Sequence, residues 1–192
     1  MTSAIKTTPD SLLSSIGWLI PQILAIIAIF LPIFNGTPEK SMIFMILSGC
    51  LITASALASW HEEKTNTHTN GLLCNMFYLL NTESPDCPSK NTLFVTFTCI
   101  YLISPMIVYD TYNYYSVITL LLFLGVHMAY QATSGCSSFK CYMPSFIWGG
   151  FVGYISVFFI TKAGLERFLY FSELADSKII CNKSIANVNT CS

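Results

Sequence analysis

The chain is short of charge. Of 192 residues only 10% are Asp, Glu, Lys or Arg, nine basic against ten acidic, while 53% are hydrophobic. A soluble domain carries about 25% charged residues, so a water-facing surface cannot be assembled from this set. The mean hydropathy of +0.59 agrees. Arginine is nearly missing, with Arg167 the single example beside eight lysines. That removes the planar fork that grips phosphates and carboxylates. With a net charge of -1 there is no basic face for nucleic acid. Also lacking are a CxxC pair, a Ser-His-Asp set, a carboxylate pair and a phosphate-cradling glycine loop. These absences argue against an enzyme, and no small-molecule substrate or cofactor is evident.

What is present is long apolar runs. About 20 such residues cross a bilayer as a helix, and five stretches qualify: 11–34, 41–60, 92–109, 115–132 and 142–161. The expected fold is an all-α integral membrane protein of about five transmembrane helices, with a long cysteine-bearing loop and a polar, amphipathic C-terminal tail. Four regions follow: an N-terminal hairpin (1–60), a polar loop (61–91) with a short apolar patch (71–80), a three-span bundle (92–161) and the tail (162–192). The first run is expected to be a retained signal anchor, because it continues well past the length of a cleaved signal's apolar core. Pro21 removes a backbone donor within it, and the freed carbonyl is expected to be met by Ser14 or by a neighbouring helix. In the second run Ser48, Gly49, Ser55 and Ala56 suggest a small-residue face. Beyond the fifth, Leu165, Phe168 and Leu169 recur as on one side of a helix leaving the membrane or lying on it.

Five crossings put the N-terminus, the long loop and the loop around Cys136 on one side, here called A. The Asn35–Lys40 turn, the tyrosine-rich turn near Asp110 and the C-terminus share side B. Trp18, Trp60 and Trp148 all fall toward the A ends, whereas the tyrosines gather at B, as in interfacial aromatic belts. Lysine counts are too even to orient the chain, and the sequons at Asn35 and Asn182 both lie on B. His127 and Asp110 are the ionisable groups nearest to span interiors, and both are expected at interface depth.

Cysteine is abundant, at eight. Cys50 and Cys99 lie within spans as small apolar residues. The disulfide candidates are the other six: Cys74 and Cys87, Cys136 and Cys141, Cys181 and Cys191. Those on side A could pair locally or tie the long loop to the loop before the fifth span. With twelve, four and nine intervening residues, none of the pairs has zinc-site spacing. A membrane thiol-disulfide oxidoreductase is a minor reading, since Cys136 and Cys141 lie too far apart for the usual exchange motif. Gly149 and Gly153 form a GxxxG pair suited to close helix packing. In the apolar patch Leu72, Leu73, Met76, Phe77 and Tyr78 are candidates for an interaction surface.

Trp60, then Gly71-Leu72-Leu73-Cys74, then Cys87 loosely resembles the first extracellular loop of claudin-type tetraspans. The sequence departs from that pattern at Leu73, where the family has tryptophan, at Cys74, which follows without the usual gap, and in having a span before the motif. The resemblance implies an oligomeric pore or barrier protein, for which Thr96, Thr98 and Ser104 would be the lining candidates. The leading expectation is different: a non-enzymatic structural or accessory multi-pass subunit. It would anchor or scaffold a larger assembly, such as a viral inner-membrane or capsid-associated structure or an organellar complex. Its partners would be the lipid bilayer and other protein subunits.

Overall fold

The computed structural model describes residues 9–61, 89–134 and 139–170. Five α-helices make up almost all of this: α1 (Pro9–Phe34), α2 (Pro38–His61), α3 (Lys90–Val108), α4 (Tyr114–Ser134) and α5 (Phe139–Lys162). A short 3-10 turn, Glu166–Phe168, follows. Among the described residues there is no strand, so the expected all-α architecture is what the chain adopts. Four helices are long and apolar enough to cross a membrane: α2, α3, α4 and α5. In α1 the described apolar stretch is Leu19–Phe34.

The axis of the bundle is α3. Every residue in it is buried except Ile100, Ile107 and Val108. Ser89 caps its start, its hydroxyl accepting the Thr92 N–H and pairing with the Thr92 hydroxyl at 3.1 Å. Such a cap meets one of the orphan N–H groups of a helix's first turn. The other four helices pack round α3, with α5 making the most extensive contact, then α1 against α2 and α4. α5 runs parallel to α3: Gly149 faces Leu93 and Gly153 faces Phe97.

Three helices, α1, α3 and α5, end in the same way. Gly36 and Gly164 take φ of 73° and 69°, and Asp110 takes 50°. In each, that residue's N–H bonds three residues back while the next N–H reaches five back, as Leu165 does to the Ile160 carbonyl at 3.1 Å. This is the Schellman arrangement, which needs a left-handed residue and therefore favours glycine. Gly164→Ala is expected to cost about 1 kcal/mol, read as a lower unfolding midpoint, since nothing lies within 4 Å of the added carbon and the backbone alone resists it.

That turn overturns the expected helical extension after the fifth run. α5 stops at Lys162, and the chain doubles back through the 3-10 turn. Leu169 and Tyr170 are then buried in the bundle, while Leu165 stays exposed. The apolar spacing of 165, 168 and 169 is compatible with a helix, but Gly164 breaks it before it starts. The small-residue face of α2 also divides: Ser48 and Ser55 point inward, and Gly49 faces open space.

Candidate functional site

Proline positions the most informative groups. A proline within a helix has no N–H for the carbonyl four residues earlier. Pro21 and Pro32 both lie inside α1, so they strip the Gly17 and Ala28 carbonyls of their intrahelical partners. Each carbonyl is met by a side chain from a distant element. His127 on α4 places Nδ1 3.5 Å from the Gly17 oxygen. Tyr170, after the 3-10 turn, donates its hydroxyl to the Ala28 oxygen. Of the two partners expected for the carbonyl that Pro21 frees, Ser14 or a neighbouring helix, the structure shows the neighbour, α4. Lipid tails offer no hydrogen-bonding groups, so such carbonyls must be met inside the bundle, and each proline creates a docking point for another part of the chain.

At the first docking point α1 and α4 come very close. A carbon added at Gly17 would lie 2.3 Å from Tyr130 Cβ, so glycine is required for the ring of Tyr130 to lie against α1. His127 and Gln131, one turn apart, are each 1% exposed. His127 is therefore enclosed between α4 and α1. His127 Nε2 and Gln131 Oε1 are buried and have no hydrogen-bond partner among the described residues.

The Pro21–His127 pairing makes a prediction. In Pro21→Ala the new N–H bonds to Gly17 from within α1, so the imidazole loses its acceptor. His127→Leu should destabilise the native chain by about 1 kcal/mol, as interhelical hydrogen bonds in membranes do. In the Pro21→Ala background the same change should cost little. A double-mutant cycle on unfolding in mixed detergent reads the coupling.

The second docking point is aromatic. The Tyr170 ring meets Phe44 edge-on at 6.3 Å and Tyr101 at 5.9 Å, and Tyr101 stacks on Phe97 at 5.6 Å. Burial pushes the Tyr170 hydroxyl above the usual phenol range, so it remains a neutral donor to Ala28 at every working pH.

Of the residues singled out in the sequence, Gly149 and Gly153 sit at the α3–α5 contact. Cys141 lies in the first turn of α5, and Cys50 and Cys99 are free thiols. Cys74, Cys87, Cys136, Cys181 and Cys191 lie outside the described residues, as do Leu72, Leu73, Met76, Phe77 and Tyr78 and the side chains of Trp18 and Trp60. Thr96, Thr98 and Ser104, the lining candidates, are all buried among helices of this chain, and Thr98 bonds back to the Phe94 carbonyl at 2.8 Å. Among the described residues no group of three or more His, Cys, Asp or Glu is placed to hold a metal ion. Compared with known proteins, the chain matches no family model, no curated protein and no solved structure.

Proposed function

We propose that this chain is a non-enzymatic, multi-pass membrane subunit that anchors or scaffolds a larger assembly, of the virus-particle or organellar kind. It crosses the bilayer five times, with α1 as the fifth crossing. The observation that carries this reading is the division of labour among the helices. α3 spends nearly its whole surface on its own neighbours. The peripheral helices instead turn large apolar side chains outward: Ile26 on α1, Ile46 on α2, Leu122 on α4 and Phe151 on α5. The buried hydrogen-bonding groups at Gly17 and Ala28 serve to lock helices and the C-terminal segment together. An interior used for cohesion and an exterior that is apolar on every side suit an anchor. The cysteine-bearing loops at side A would face the partners.

Extraction in mild detergent followed by size separation and mass spectrometry tests this. The expected result is co-migration with other protein subunits in fixed ratio. A partner-free monomer that turns over a substrate would refute it.

A further inference from the structure

We propose that His127 and Gln131 bind one ordered water molecule inside the bundle, held between α4 and the first turn of α3. A carbonyl oxygen only accepts, so the 3.5 Å approach to Gly17 puts the imidazole proton on Nδ1. Nε2 is then an acceptor. Gln131, one turn nearer the end of α4, also presents an acceptor, Oε1, and both atoms are buried without a partner among the described residues. Two acceptors cannot satisfy one another. Leaving both bare in a low-dielectric interior is costly, and the group that answers both must donate twice.

The neighbouring helix supplies the third partner. Cys99 Sγ on α3 meets the Leu120 carbonyl on α4 at 3.6 Å. Two turns back along α3 lies Thr92, and two turns on along antiparallel α4 lies His127, so the two are level. There the Ser89 and Thr92 hydroxyls share a single hydrogen bond at 3.1 Å. One of their two protons is engaged in it, and the other is available to donate. A water that donates to His127 Nε2 and Gln131 Oε1 and accepts from this hydroxyl pair makes three bonds, the usual number for a buried water. A metal ion fits less well, since one imidazole and one amide oxygen fall short of a zinc ligand set. A lipid hydroxyl would have to bring its chain to residues that are 1% exposed.

The test is water-edited solid-state NMR on the full-length protein, labelled with 15N-histidine, in lipid nanodiscs. The expected spectrum shows His127 as the Nδ1–H tautomer with a hydrogen-bonded Nε2, and magnetisation reaching the ring from water. That transfer should be lost in Gln131→Leu. A His127 ring protonated at Nε2, no transfer from water, transfer from lipid protons instead, or undiminished transfer in Gln131→Leu would each overturn the proposal. The wild-type spectrum decides by itself if the variant does not fold.

Discussion

Replacing Gly149 with leucine is expected to drive α5 off α3 and to destabilise the bundle by about 3 kcal/mol, the upper part of the range for overpacking. Even the first carbon of a side chain there would lie 2.6 Å from the Leu93 carbonyl oxygen, which is backbone and cannot swing aside. At Gly153 the corresponding distance to the Phe97 oxygen is 2.9 Å. Lipid tails are as apolar as leucine, so helices in a bilayer associate through van der Waals contact and interhelical hydrogen bonds. A contact held by close backbone approach is lost when the backbones separate. The control is one residue away: at Gly150 an added carbon meets the Thr96 methyl at an ordinary 3.6 Å. Gly150→Ala should therefore leave the unfolding midpoint nearly unchanged, as should Gly49→Ala and Gly125→Ala, which point into open space. Loss of stability at Gly150 equal to that at Gly149 would show that the α3–α5 contact is not set by glycine.

Tyr170→Ala is the second large effect, on the order of 3 kcal/mol by analogy with other buried aromatics cut to alanine. It empties the place where the C-terminal segment meets Phe44 and Tyr101. Tyr170→Phe keeps the ring and removes only the donor to Ala28, so it should cost about 1 kcal/mol. That smaller cost depends on Pro32. In Pro32→Ala the helix can satisfy Ala28 itself, and Tyr170→Phe should become nearly silent. Hydrogen exchange of residues 165–170 provides a local readout: faster exchange is expected in Tyr170→Ala, with little change in α3.

Much of this was legible in the chain. The apolar runs mark the helices to within a few residues, because twenty-odd residues of uninterrupted hydrophobicity have few other uses. The GxxxG spacing marks Gly149 and Gly153 as a pair, and both stand at a helix contact, but the spacing does not name the partner helix. Which glycine faces a neighbour depends on how the helices are rotated, and in a lipid-soluble helix all faces are apolar, so no polar stripe reports the rotation. That Pro21 frees a carbonyl is visible from the covalent chemistry of proline. The groups that answer Gly17 and Ala28 are not, since His127 and Tyr170 lie 110 and 142 residues away in sequence. For His127 the nearness of Tyr130 and Gln131 to a helix end favoured the interface, and only the packing of α1 against α4 encloses it. The misread segment after Lys162 carried its own signal: a basic last turn followed by Gly164 is a helix stop.

The central claim is a five-crossing bundle, and sided labelling of native amines tests it most directly. Lys140 and Lys162 are exposed at opposite ends of α5. In sealed membrane vesicles of one orientation, treated with an impermeant amine reagent and read by mass spectrometry, five crossings predict that the N-terminal amine labels together with Lys140. Lys162 should label only once the vesicles are opened, or the reverse if the vesicles are inverted. Labelling of the N-terminal amine together with Lys162 would mean that α1 does not cross, and would contradict the account.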